Sequence, residues 1–212
     1  MRSREVNDRR SIGKRKLAPE NYLIMCEGEE TEPNYFAGLK ELINSKYGDK
    51  VDVLIPSIKV KGTGRNTTDL VNYTEKFVNQ ADKKYGKVWI VFDKDDYPDK
   101  QFNQAIKNSS FNIAWSNPCF EIWILLHLKK VINFVPKDKI LNELDKEFKK
   151  YGLGNYRKND KNIFKKISKD DNLNKAITNA KKLNDKFKDE EPSKSNPMTT
   201  VYKIVEDLKE YL

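Results

Sequence analysis

The chain is poor in the residues from which metal centres and covalent nucleophiles are most often built. It has one histidine, His127, and two cysteines, Cys26 and Cys119. Both cysteines lie inside apolar segments without paired metal-site spacing, so a Cys- or His-built metal centre is excluded. They suit a reducing, cytoplasmic setting in which a free thiol is a small core residue. Long hydrophobic runs are missing too. The longest, Ile122 to Leu128, contains His127 and falls far short of the roughly 20 residues that cross a bilayer. Met1 to Lys16 is basic with no apolar core behind it, so neither a secretory signal nor a membrane partner is expected. The spaced Gly-Lys-Ser/Thr ending of an NTPase phosphate loop is absent as well, which argues against ATP hydrolysis by this chain.

What is present is charge. Among 212 residues, 41 Lys plus Arg face 32 Asp plus Glu, a formal net charge of +9. The length allows one domain with an appendage or two small ones. Lysine dominates the balance and concentrates between Lys129 and Lys188. Two readings stay open: solvated helix faces, or a phosphate-tracking surface with steeply salt-dependent affinity for nucleic acid.

Residues 1–20 are polar and aperiodic and read as a flexible basic arm. Residues 21–134 read as an α/β core. Tyr22–Cys26 is a wholly apolar run, as for a strand buried on both faces. Glu32-Pro33-Asn34 opens a helix whose stripe is Tyr35, Leu39 and Leu42. Val51–Val60 reads as a second strand, with Pro56 marking an edge. The Gly-rich segment Lys61–Asn66 leads into a helix reaching about Lys84, with Thr67, Thr68 or Asp69 as its cap. Lys87–Phe92 and Phe111–Trp115 are strands, separated by a helix over Gln101–Lys107. Ser116-Asn117-Pro118 opens an apolar helix, Cys119–Leu128. The alternation predicts a mostly parallel, Rossmann-like sheet flanked by helices. Residues 135–212 carry helical periodicity and almost no strand signal. They are expected to form a helical extension packed on the core, broken over Asn155–Lys161. Its last helix would start at Ser195-Asn196-Pro197, with Asn as N-cap and Pro at the first helical position.

Ligands in open α/β sheets bind beyond the carboxyl ends of the strands, and three acidic sites are predicted there. Glu27 follows the first strand, beside Gly28. Asp93, Asp95 and Asp96 follow the strongest strand, and an extended chain would point Asp93 and Asp95 the same way. Glu121 lies early in the apolar helix, where an unpaired carboxylate is costly. Oxygen donors without His or Cys suit Mg²⁺ or Mn²⁺ and phosphodiester chemistry. Gly62, Gly64 and Arg65 are candidates for holding a phosphate. His127 stands about 240° round the helix from Glu121. It reads as a core or interface histidine before a general base. Asn117 is a candidate for holding a phosphate oxygen or capping the helix.

Leu23-Ile24-Met25-Cys26-Glu27-Gly28-Glu29-Glu30-Thr31-Glu32-Pro33-Asn34-Tyr35-Phe36 resembles the opening signature of the RloB-like family. Val91 to Asp96, Ser116 to His127 and Asn196 to Thr200 also match its pattern, in order. The family is associated with bacterial anti-phage and abortive-infection loci, and its pattern is similar to the Toprim fold of topoisomerases, primases and OLD-family nucleases. The resemblance implies a Toprim-like nuclease in which Glu27, Asp93 and Asp95 bind the metal and Glu121 completes the catalytic set. It also implies a neighbouring AAA- or ABC-type ATPase as partner. No Gly follows the Asp-x-Asp at the usual Toprim spacing. That departure supports an alternative, a non-catalytic binding or regulatory subunit using the same acidic cleft. A homo-oligomeric state stays open.

Overall fold

A computed structural model describes residues 21–47, 58–82 and 84–212. The expected N-terminal arm and the beginning of the strand expected over Val51–Val60 lie outside those residues. Five strands form one sheet in the order β2-β1-β3-β4-β5. They are β1 (Tyr22–Cys26), β2 (Ile58–Gly62), β3 (Lys87–Asp93), β4 (Asn112–Asn117) and β5 (Met198–Thr199). The first four are mutually parallel and β5 is antiparallel to β4. Every residue of β1 is buried, which is why the run carries no alternation: helices cover both faces. Cys26 pairs with Gly62 on one side and Val91 on the other, and Asp93 pairs with Ser116. Four strands therefore end along one edge, and the loops after them share it.

Helix α1 (Thr31–Tyr47) buries Tyr35, Phe36, Leu39 and Ile43, whereas Leu42 is 41 % exposed. With Phe36 included, the stripe spans about 100° of the helix, and the expected Leu42 falls just outside it. Helix α2 (Thr67–Asn79) is capped one residue earlier than expected: Asn66 Oδ1 accepts the Asp69 N–H at 3.1 Å. Helix α3 (Asp99–Asn108) precedes β4, and α4 (Glu121–Leu128) is buried at all of its positions. Helices α5 (Lys137–Lys150), α6 (Ile163–Ile167), α7 (Asn172–Lys186) and α8 (Tyr202–Asp207) complete the chain with a closing turn of 3-10 helix at Lys209–Tyr211. Their apolar faces, including Ile140, Leu144, Phe148, Ile177 and Leu183, join the same hydrophobic core as the sheet. Among the described residues no helix is long and apolar enough to cross a membrane.

Two local expectations are corrected. The Asn117-Pro118 and Asn196-Pro197 bonds are cis, and neither asparagine caps a helix. Asn117 Nδ2 instead donates to the carbonyls of Pro192 and Ser193 at 3.2 and 3.0 Å, and Asn196 Oδ1 accepts the Val135 N–H at 3.3 Å. The residues after Asn196-Pro197 form β5, a strand in a region read as helical. Two residues carry too little periodicity to be read, so β5 is defined by its partners: Thr200 N–H donates to Trp115 O at 2.8 Å, and Ser116 and Thr199 hydroxyls meet at 3.0 Å.

Candidate active site

After β1 the chain turns through Glu27-Gly28-Glu29-Glu30 into α1, and the glycine loop after β2 braces that turn. A Cβ on Gly62 would stand 2.7 Å from the Gly28 carbonyl oxygen and 2.9 Å from Glu29 Cα, so only glycine allows this approach. Gly64, at φ +61°, donates its N–H to the Glu27 carbonyl at 2.8 Å, and Thr63 Oγ1 donates to the Cys26 carbonyl at 3.0 Å. The Gly64 amide, a candidate for holding phosphate, is thus already committed to shaping the acidic turn. Arg65 points elsewhere, its guanidinium 4.2 Å above the Tyr73 ring.

Glu27 reaches across to β3, where its Oε2 accepts the Asp93 N–H at 3.0 Å. Asp93 is the last residue of β3, and the extended alternation stops there. Asp95 has φ +37°, in the left-handed region that Asp tolerates better than most residues. The turn is pinned by Lys94 N–H to Ser116 O and Asp95 N–H to Pro118 O, each 2.8 Å. Asp93 and Asp95 still line one cleft of about 450 Å³, together with Glu27, Glu32, Gly64 and Glu121. Asp96 is exposed and does not line it, and neither do Asn117 and His127.

Glu121 is 2 % exposed, and from the first turn of α4 it accepts the Tyr156 hydroxyl at 3.1 Å and pairs with Lys158 at 3.3 Å. Lys137 pairs with Asp95 at 2.6 Å. Sequence reasoning missed Lys137 because it reads as part of a solvated lysine-rich helix, and Tyr156 and Lys158 because they fall in the polar break over Asn155–Lys161. It also missed Glu32, which is 6 % exposed. An acid in the first turn of a helix is ordinarily explained by the helix dipole. The available signal was its place in the dense acidic run Glu27 to Glu32.

The electrostatics are those of like charges confined together. Burial pushes the Glu27 carboxyl up to about 7, helped by Glu32 and Asp95 and opposed by the Asp93 N–H. Burial also raises Glu32, with Glu121 adding to the effect. Asp93 is raised well above the ordinary carboxylate range by desolvation, then by Glu32 and Glu121. As a residue Asp93 retains some exposure, but its Oδ1 is out of contact with solvent and has no hydrogen-bond partner. Burial, with the neighbouring acids, raises the Cys119 thiol, which disfavours thiolate chemistry.

These donors fit a hard divalent cation: all are carboxylate oxygens, and one of them is orphaned. Among the described residues no group of three His, Cys, Asp or Glu side chains is arranged to hold an ion. The fit is therefore to a cation such as Mg²⁺, which takes one or two carboxylates and leaves its other positions to water and phosphate.

A family model described as RloB-like protein matches residues 22–208. That match covers most of the chain, which belongs to the RloB-like family. No curated protein and no solved structure matches it.

Proposed function

We propose that this member of the RloB-like family is a divalent-metal-dependent, Toprim-like nuclease that hydrolyses phosphodiester bonds of DNA or RNA in anti-phage defence, acting with an ATPase partner. The observation that carries the reading is the orphaned, desolvated Asp93 Oδ1 in a cleft that Glu27, Glu32 and Glu121 also line. The Phe120 N–H serves the carboxylate, but a buried Oδ1 without a partner is costly unless a cation completes it. One or two of Asp93, Glu27 and Asp95 would hold Mg²⁺ or Mn²⁺, with water and phosphate in its other positions. Such an ion, when bound, supplies an activated water and neutralises charge developing on a phosphate. Glu27, poised near pH 7, can take or give a proton at its Oε1 while Oε2 stays on the Asp93 N–H. Tyr156 and Lys158 hold Glu121 in one orientation at the wall. Lys137 and Lys158 place positive charge at the mouth, where a phosphate enters.

A second reading is a non-catalytic subunit that docks a partner in the same cleft. It is favoured by the lysine pairing of Asp95 and Glu121, which neutralises two acids without metal. Purified wild type and Asp93→Ala, incubated with labelled plasmid, single-stranded DNA and total tRNA in Mg²⁺, Mn²⁺ or EDTA, separate the two. Metal-dependent cutting that disappears in the variant supports the nuclease. Cutting that survives Asp93→Ala refutes the assignment, and tight partner binding without turnover supports the subunit.

A further inference from the structure

A second cluster lies on β2, the strand at the edge of the sheet, and on the half-buried flank of α2. Tyr73 and Phe77 are one helical turn apart, their ring centroids 6.2 Å from each other, and Tyr85 continues the row 6.5 Å beyond Phe77 at an interplanar angle of 30°. All three rings are half-buried, so each keeps an accessible part. Three cations surround them. Lys59 stands 4.7 Å from the Phe77 centroid, Lys61 stands 4.8 and 4.7 Å from Tyr73 and Phe77, and Arg65 stands 4.2 Å from Tyr73. Lys61 also hydrogen-bonds the Tyr73 hydroxyl. Among the described residues none of the three cations is paired with a carboxylate. The row is therefore a positively charged aromatic strip, while the neighbouring cleft is strongly acidic. Its end adjoins that cleft, because Arg65 directly follows Gly64, a residue of the cleft wall.

We infer that this strip binds a single-stranded polynucleotide and leads it toward the acidic cleft. The chemistry is that of single-strand recognition: phosphates track the lysines and arginine while unstacked bases lie on the aromatic faces, with cation–π support from Arg. A duplex offers the same phosphates but keeps its base faces stacked on each other, so it gains only the electrostatic part. Stacking on rings is tolerant of base identity, which predicts little base preference. The inference names the substrate form of the proposed nuclease and rests on that reading for what happens to the strand; the binding itself needs no metal.

The test is fluorescence anisotropy of the full chain in EDTA, with labelled oligo(dT), labelled oligo(U) and a duplex of the same length, each of about 12 units. The expected result is single-strand binding about tenfold or more tighter than duplex binding. Loss of one stacking ring in Tyr73→Ala should weaken it by about 5- to 150-fold. Tyr73→Phe keeps the ring and should keep the affinity to within about threefold. Lys59→Ala and Arg65→Ala alter exposed side chains outside the core, so a weakened affinity in them is not a folding defect. Each should reduce the slope of log affinity against log salt by about 0.7. A preference for the DNA or the RNA strand identifies the polymer, and either preference supports the strip. Equal affinity for duplex and single strand, or unchanged affinity in Tyr73→Ala, overturns it. Single-strand binding without cleavage in any metal leaves the strip standing and removes the nuclease reading. Metal-dependent cleavage with no single-strand preference does the reverse.

Discussion

Two of the places where the described residues bury polar groups treat them in opposite ways. The His127 imidazole is satisfied at both nitrogens, although the Trp123 Nε1 of the ring packed on it is buried without a partner. The Trp123 carbonyl can only accept, so His127 Nδ1 carries the proton donated to it at 2.9 Å, and Nε2 accepts the Tyr35 hydroxyl at 3.3 Å. Burial lowers this imidazole to about 4, which keeps it neutral inside a nest of edge-to-face rings from Tyr35 and Trp123. At the carboxyl ends of β1 and β3 the reverse holds. Several acids crowd one cleft, one oxygen has no partner, and burial raises rather than relieves their protonation. A satisfied buried group contributes stability and needs nothing further. An unsatisfied cluster costs stability, and that cost is explained when a ligand completes it.

The largest expected separation between the two places is in mutants. Asp93→Ala should reduce metal-dependent cleavage by at least about a thousandfold, as expected for loss of a group that positions the reacting centre. It should leave the metal-free melting temperature unchanged or higher, since it removes an uncompensated carboxylate. His127→Ala should do the opposite. It opens a cavity and orphans the Tyr35 hydroxyl, for a loss of about 3 kcal/mol or more, with cleavage per folded molecule retained. Urea denaturation alongside a cleavage assay reads both. A destabilised Asp93→Ala would erase the contrast.

The next largest effect is linkage to the cation. At a hundred times its dissociation constant, Mg²⁺ should stabilise wild type by about 2.7 kcal/mol and Asp93→Ala by almost nothing. Thermal melts with and without EDTA decide this. Equal stabilisation of both proteins would move the ion away from the cleft.

pH sharpens the comparison because the two shifts have opposite sign. Glu27 lies at about 7 in the folded chain against an ordinary 4.5. Its contribution is therefore intact below pH 4.5 and is lost as pH rises through about 7. His127 lies at about 4 against 6.5, so its contribution is present above pH 6.5 and is lost as pH falls through about 4. Above pH 6.5 the imidazole no longer adds to the pH dependence. In EDTA the wild type should lose stability between about pH 6.5 and 8, and Glu27→Gln should lose less. Over the same interval cation affinity should rise, because the metal competes with the Glu27 proton.

Much of this arrangement was legible from residue order, for identifiable reasons. A strand buried on both faces shows itself as an unbroken apolar run, and an acid directly after such a run falls at the ligand-binding edge of an α/β sheet. Tyr22–Cys26 followed by Glu27, and Lys87–Phe92 followed by Asp93, meet that rule. Glu121 was legible as an acid among Phe120, Ile122 and Trp123. Other features depend on partners distant in the chain. Asn117 looked like a cap because Asn-Pro before a helix often is one, but its amide is taken by carbonyls about 75 residues away. Lys137 and Lys158 look like solvated lysines until the fold sets them against Asp95 and Glu121. Asp95 reaches the cleft by a left-handed turn and not by the strand alternation that suggested it.

The smallest expected effect concerns those lysines. Lys158 is about half exposed, its side chain at 51 %, so Lys158→Ala should change stability by only about 0.5 kcal/mol. It should nevertheless tighten Mg²⁺ binding by removing a competing positive charge. Weaker binding in that variant would mean that Lys158 supports the ion's ligands and does not compete with the ion.

The most direct measurement is calorimetric titration of Mg²⁺ and Mn²⁺ into wild type and Asp93→Asn at pH 7.5, a substitution that keeps the side-chain shape and removes the charge. Saturable binding by wild type, weaker at pH 6, is expected, and none by the variant. Identical isotherms for the two proteins, or no binding by wild type at any pH at which it is folded, would contradict that expectation.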